Sequence, residues 1–292
     1  MNTINEQMDS WPLVETSWLA ENLGNSNLRI IDCSIKHQDT DDGVRKYFSE
    51  RAEWEKAHIP SSVYINSLTE IYGHDSSRPY AMPSPEQFAA TMASLGVGDD
   101  TQVVLYDNSN HAWAAFVWWM LRVIGFDRAA VLNGGWQKWV AEQRPVSAKV
   151  KSYPQGTIKI RYRPELMATK ERVLSELNND KVTIIHALTS DEFCGKFNRF
   201  PRPGRIAGSK NVDFNTIVDE NSFTYLPEEE LRKVFNATDA LTSNSIITYC
   251  GGGVAASSVA FALTLLGIRD VAVYHSGLIE WTADPKLPMD VG

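Results

Sequence analysis

Short runs of β-branched and aliphatic residues punctuate the chain at intervals too long for an all-β protein. Arg29–Asp32, Gln102–Tyr106 and Ala130–Leu132 are such runs in the first half, and each reads as a buried strand. Between them lie stretches with helical signals. Ser84-Pro85-Glu86-Gln87 offers an N-cap, a proline at the first helical position and a capping-box glutamine. Pro227-Glu228-Glu229-Glu230 opens a matching helix with acids at its positive end, and Gly96 and Gly267 read as helix stops. Strands alternating with helices predict an α/β fold, each unit a mostly parallel central sheet flanked by helices.

The pattern then repeats. Leu28-Arg-Ile-Ile-Asp-Cys-Ser-Ile35 is similar to Val182-Thr-Ile-Ile-His-Ala-Leu-Thr189, and His58-Ile-Pro-Ser-Ser-Val-Tyr-Ile65 to Arg205-Ile-Ala-Gly-Ser-Lys-Asn-Val212. Val103-Val-Leu-Tyr-Asp107 matches Ile246-Ile-Thr-Tyr-Cys250, and Leu132-Asn-Gly-Gly-Trp-Gln-Lys-Trp139 matches Tyr274-His-Ser-Gly-Leu-Ile-Glu-Trp281. Four blocks in one order indicate a duplication. The domains read as residues 11–147 and 164–292, with 148–163 a proline- and lysine-containing linker. A length of 292 residues fits two domains of about 150 each.

Composition narrows the function classes. Hydrophobic residues at 43% and charged residues at 22% are those of a globular chain. A net charge of −8 argues against nucleic acid or an anionic membrane as partner. The longest apolar run, Ala112 to Ile124, is interrupted by Arg122 and is too short to span a bilayer. The N-terminus lacks the basic-then-apolar order of a signal peptide. The cysteines, Cys33, Cys194 and Cys250, are odd in number and widely spaced, which fits neither a disulfide framework nor a zinc site. The expected compartment is the reducing cytoplasm.

One segment stands apart chemically. Ile246-Ile-Thr-Tyr-Cys250-Gly-Gly-Gly-Val-Ala-Ala256 reads as strand, glycine loop and helix. Ligands of open α/β sheets bind beyond the carboxyl ends of strands, where Cys250 falls. Backbone amides of the loop and the positive helix end are expected to favour its thiolate and lower its pKa. The loop lacks the Gly-Lys-Ser/Thr ending of a Walker loop, and Ala255, Ala256 and Ser257 stand where a cysteine phosphatase needs an arginine. The bland reading is a buried cysteine beside a tight turn, but three successive glycines cost backbone entropy that a simple turn does not require.

These residues resemble the tandem-domain rhodanese family, which includes the thiosulfate and 3-mercaptopyruvate sulfurtransferases. Its marks are Ala57-His-Ile-Pro-Ser61, Leu132-Asn-Gly-Gly-Trp136, Pro201-Arg-Pro-Gly-Arg-Ile-Ala-Gly-Ser209 and the loop Cys250–Ala255 after Thr248-Tyr249. The resemblance implies two rhodanese-like domains, of which only the second is catalytic, with Asp107 in the place of Cys250. It implies a sulfurtransferase that takes a sulfane sulfur from a small anionic donor as a Cys250 persulfide. A thiophilic acceptor, such as cyanide, a thiol or a thioredoxin-like protein, then removes it. No cofactor or metal is implied. The loop amides of Gly251, Gly252, Gly253, Val254 and Ala255 are expected to stabilise the thiolate and persulfide.

The chain departs from the family pattern at the anion-binding positions. The family's Asp-Ala-Arg is His186-Ala187-Leu188, and its arginine before Phe and Gly is Glu192. Arg202 keeps an arginine position, with Arg199 and Arg205 as replacement charge. These three, His58 and His186 are the expected substrate-binding residues. The loop is uncharged and closer to mercaptopyruvate-type loops, with Gly252 where those carry serine. The alternative reading is a degenerate rhodanese-like binding or regulatory module.

The other conspicuous residues have structural expectations. Trp113, Trp118 and Trp119 are expected in the core. Cys33 is expected there too, as a small hydrophobe, and His111 on the surface. His275 follows the last strand and is expected near the site, and Arg78 and Cys194 are candidate neighbours.

Overall fold

Parallel pairing of the short apolar runs builds two sheets with one plan. A computed structural model describes residues 12–40, 45–72 and 82–292. One compact unit is drawn mainly from the chain up to Arg163, the other from Pro164 onward. The first holds β1 (Leu13–Val14), α1 (Thr16–Asn22), β2 (Leu28–Asp32), α2 (Arg51–Lys56), β5 (Ser62–Tyr64) and the larger parts of β3 (Ile35–Asp39) and β4 (Arg45–Ser49), whose remaining residues group with the second. It continues with α3 (Pro85–Ser94), β6 (Gln102–Tyr106), α4 (Ala112–Val123), β7 (Ala129–Leu132) and α5 (Gly135–Ala141). Its sheet runs β1-β7-β6-β2-β5 with every pair parallel, while β3 and β4 form a separate two-stranded ribbon.

The second unit repeats this order. It contains α6 (Lys170–Glu176), β8 (Val182–His186), α7 (Ser190–Phe193), β9 (Arg205–Ile206), β10 (Lys210–Asn211) and α8 (Glu228–Asn236). Then follow β11 (Ser245–Tyr249), α9 (Val254–Leu265), β12 (Val271–Tyr274), α10 (Gly277–Trp281) and β13 (Met289–Asp290). The sheet order is β10-β8-β11-β12, all parallel, and β9 pairs antiparallel with β13. Asp32 lies opposite Tyr106 in one sheet and His186 opposite Tyr249 in the other. Asp107 and Cys250 are therefore the first residues past the carboxyl end of equivalent central strands.

Local signals in the sequence account for the elements that carry the sites. Ser84 caps α3 and Gln87 returns the bond to its N–H, the reciprocal box its spacing predicts. The helices after the two central strands are apolar on nearly every face, and both are buried almost throughout. Trp113, Trp118 and Trp119 all lie within the core, as does Cys33. The expectation for His111 is overturned: it is fully buried, in the left-handed conformation at the N-cap of α4, and its Nε2 donates to the carbonyl of Phe223.

Residues 148–163 lie along the first unit. Gly156 N donates to Ala93 O (2.9 Å), Asp99 N to Thr157 O (3.0 Å), and Arg161 N to Ile124 O (2.8 Å). Arg29 stacks on Tyr153, its guanidinium 4.1 Å from the ring centre. Among the described residues no helix is long and apolar enough to cross a membrane.

Asp32 gives the first unit a pH dependence. Its carboxyl is buried at the end of β2, where Oδ1 accepts from Ser34 N at 2.8 Å. Burial pushes its pKa up to about 7. The folded form then holds a proton that the unfolded chain releases near pH 4, so stability is full below that pH and is lost as pH rises through 7. Urea denaturation is expected to show the protein about 2–3 kcal/mol less stable at pH 8 than at pH 5 from this group alone, at about 1.4 kcal/mol per pKa unit. Asp32→Asn should flatten that dependence; an unaltered profile would refute the assignment.

Candidate active site

β11 delivers Cys250 to the mouth of the sheet, and the loop after it turns at once into α9. Gly253 makes the turn with φ +89 as the N-cap of α9. A side chain there is excluded twice: the left-handed backbone disfavours it, and a Cβ would stand 2.1 Å from His275 Nδ1. His275 thus lies against the cysteine loop, where its position after β12 predicts it. Gly253→Ala is expected to cost about 2 kcal/mol in thermal denaturation and to lower the activity of the site; wild-type values of both would show the loop to be tolerant.

The loop is fastened on its outer side. The carbonyl of Cys250 accepts from Leu278 N (2.8 Å) and that of Gly251 from Ile279 N (3.3 Å), both in the first turn of α10. The Gly253 carbonyl accepts from Ser257 N (2.9 Å) and Ser257 Oγ (2.8 Å), and Thr248 Oγ1 donates to Ala256 O (3.0 Å). With its carbonyls turned outward, the loop leaves amides to face the sulfur.

Cys250 is buried, and Gly253 N donates to its Sγ at 3.1 Å. Burial pushes the thiol above its ordinary pKa, while the N–H groups of Ala256, Gly252, Gly253 and Ala255 pull it back down. The expected lowering is therefore not what the resting site gives, because loss of solvent outweighs four amides. Gly252, Gly253 and Ala255 belong to the expected run of 251 to 255, Ala256 joins them, and the carbonyl of Gly251 is held by α10.

The first unit shows what such a set of amides holds. Asp107 Oδ1 accepts from Ser109 N (2.9 Å), Ser109 Oγ (3.1 Å) and His111 N (3.1 Å). Its Oδ2 accepts from Trp113 N (3.1 Å) and Ala114 N (3.0 Å). Aligned on the central strand, Ser109 falls at Gly252; aligned on the N-caps of the following helices, the amides of His111, Trp113 and Ala114 fall at Gly253, Ala255 and Ala256, the second loop being one residue shorter. The carbonyl of Asp107 accepts from Trp136 N (3.0 Å) as that of Cys250 does from Leu278. One loop design thus holds a carboxylate in one copy and a sulfur atom in the other. It is an anion cradle by construction.

The residues expected to bind substrate are engaged elsewhere. Arg202 donates to four backbone carbonyls, those of Thr282 (3.2 Å), Leu287 (2.8 Å), Trp281 (3.0 Å) and Asp284 (2.7 Å). Arg205 donates to the carbonyls of Phe193 (3.3 Å) and Gly292 (2.8 Å) and lies 4.3 Å above the Phe193 ring centre. Arg199 is ion-paired with buried Glu192 through Nε (3.0 Å) and Nη2. Each of the three guanidiniums is thus engaged by its own protein partners.

The two histidines are also structural in their contacts. His58 is buried in the first unit and stacked on Trp54 at 4.4 Å, with Nδ1 2.6 Å from Trp54 O and Nε2 3.3 Å from Lys149 O. His186 is buried at the end of β8, edge-on to Tyr249 and Phe193. Burial pushes it down to about pH 3, so it is neutral, and Nδ1 accepts from Leu188 N at 3.3 Å. Cys194 is a half-buried free thiol, and Arg78 lies outside the described residues. Phe200 went unnoticed in the sequence: its ring packs on Gly251, so that a Cβ there would stand 2.9 Å from Phe200 Cζ.

The doubled α/β plan and the cysteine cradle have counterparts among known proteins. The Rhodanese-like domain matches residues 15–142 and again 169–284, and the chain belongs to the rhodanese family. It is 32% identical to thiosulfate/3-mercaptopyruvate sulfurtransferase 2 of Arabidopsis thaliana, over 95% of this chain and 86% of that protein. It is 33% identical to thiosulfate sulfurtransferase of Cricetulus griseus, over 92% of this chain and 91% of that one. The crystal structure of SseA from Escherichia coli, a 3-mercaptopyruvate sulfotransferase with the rhodanese fold, superposes with a TM-score of 0.80. That match has 28% identity and covers 90% of this chain and 97% of that one.

Proposed function

We propose that this protein is a sulfurtransferase whose Cys250 carries the sulfur as a persulfide. The donor is a small anionic sulfur compound of the 3-mercaptopyruvate or thiosulfate kind, the substrates named by its relatives. The Cys250 thiolate attacks the donor's outer sulfur, the bond behind that sulfur breaks, and the remainder of the donor leaves with the electron pair. A thiophilic acceptor such as cyanide, a low-molecular-weight thiol or a thioredoxin-like protein then removes the sulfur and restores the thiolate. The three free cysteines favour a reducing compartment, the cytoplasm, for this chemistry.

The observation that carries the reading is the match between the four amides at Cys250 and the four that hold the Asp107 carboxylate. A persulfide moves its negative charge one atom outward from Sγ, within a cradle already built for a larger anion. Amides fixed before the reaction stabilise charge without having to reorganise. Intact-mass measurement after exposure to donor is expected to show one added sulfur on the peptide containing Cys250, removed by cyanide as thiocyanate. Failure to label with either donor would favour the non-catalytic module.

A further inference from the structure

The segment before Pro201 carries a clamp that sulfur chemistry alone does not require. Buried Glu192 accepts from Thr189 Oγ1 through Oε2 (2.9 Å) and from Arg199 through Oε1. Asn198 braces Phe200 at both backbone groups: its Oδ1 accepts from Phe200 N (3.0 Å), and its Nδ2 donates to Phe200 O (2.7 Å). The clamped residue lays its ring on Gly251, the residue immediately after Cys250. The cysteine loop thus has an aromatic wall set in a fixed place.

Charge points the same way. Holding an inorganic dianion in a site calls for a cation able to close on it, and guanidinium does so in a two-pronged manner. In the second unit Arg202 is committed to four carbonyls, Arg205 to two carbonyls and a ring, and Arg199 to Glu192. The loop side chains from Gly251 to Ala256 are uncharged. The apolar wall and the committed guanidiniums are separate observations, and both disfavour a compact dianion.

We infer that Phe200 sets the donor specificity of the site, selecting organic donors with an apolar carbon skeleton and a single negative charge over the inorganic thiosulfate dianion. This rests on the sulfurtransferase reading above and adds a donor class to it. With an aryl thiosulfonate, the Cys250 thiolate bonds to the outer sulfur, the donor's S–S bond breaks, and its electron pair leaves on the sulfinate. The product is the Cys250 persulfide anion, and no other oxidant or reductant takes part. With 3-mercaptopyruvate the C–S bond breaks instead, and the carbon keeps the pair and takes the proton from the persulfide, giving pyruvate.

The test compares benzenethiosulfonate with thiosulfate, which present the same outer sulfur and differ in one charge and one ring. The kcat/KM ratio of the two donors is measured with cyanide as acceptor for the wild type, Phe200→Ala, Phe200→Leu and Phe200→Lys. Melting curves establish that each variant is folded. Removing the ring in Phe200→Ala is expected to lower the organic-to-inorganic ratio about tenfold, chiefly through KM for the organic donor. Phe200→Leu should keep part of the preference, and Phe200→Lys should shift it further toward thiosulfate. An unchanged ratio in the folded variants overturns the inference and leaves the sulfurtransferase reading intact. No sulfur on Cys250 of the wild type from either donor or from 3-mercaptopyruvate overturns the sulfurtransferase reading itself.

Discussion

Cys250→Ser is expected to remove sulfur transfer, by about a thousandfold or more, while leaving the fold in place. The side chain is nearly isosteric, and the hydroxyl can accept from Gly253 N as the sulfur does. A serine hydroxyl is far less acidic than a thiol, a weaker nucleophile toward sulfur, and forms no persulfide. The measurement is thiocyanate formation from cyanide with thiosulfate and with 3-mercaptopyruvate, alongside mass analysis of the loop peptide. Turnover by a folded serine variant would show that another group carries the sulfur. The wild type should also respond to pH in a defined direction. Burial holds the Cys250 thiol above its ordinary pKa, so the thiolate fraction, and with it the rate of sulfur uptake, should climb from neutral into alkaline solution. A rate flat from pH 6 to 9 would contradict that ionisation.

Asp107→Ala is expected to be the most destabilising single change at the first-unit loop. The carboxylate is fully buried and satisfies four backbone N–H groups and the Ser109 hydroxyl. Its removal leaves those donors facing a small void, and an orphaned buried donor costs about 1–3 kcal/mol. Some donors will turn or take up water, so a net loss of about 3–5 kcal/mol is expected in urea denaturation, with a lowered melting temperature. Asp107→Asn should also destabilise, because its NH2 must face N–H groups that require an acceptor. Chloride or sulfate is expected to recover part of the loss in the alanine variant, since the void is lined by donors. A loss below about 1 kcal/mol would mean that the carboxylate is not what holds the loop.

The legible parts of the molecule were those coded locally. The duplication, the capping box at Ser84, the glycine loop leading into α9 and the strand end at Cys250 depend on neighbouring residues, and each is where the pattern places it. Contacts between distant residues were not legible. Arg202 reads as an anion ligand until the four carbonyls between Trp281 and Leu287 fold over it. Glu192 and Arg199 read as a lost and a spare charge, yet they neutralise each other in a buried pair. His111 reads as a polar residue in a surface loop, but its backbone supplies one of the Asp107 amides and that places it inside. The Cys250 pKa went astray for a related reason: the amides could be counted from the glycines, whereas the burial opposing them is a property of the whole domain.

The bonds from Leu278 and Ile279 to the carbonyls of Cys250 and Gly251 bear on the second half of any catalytic cycle. They anchor the backbone under the reacting atom to the start of α10 rather than to the substrate. The thiol and persulfide forms should then share one loop conformation, with the reorganisation already made when the chain folds. Hydrogen–deuterium exchange offers a direct view. Amides of residues 251–256 should be slow to exchange and nearly equal in the two forms, so that the bound sulfur comes and goes over a stationary frame.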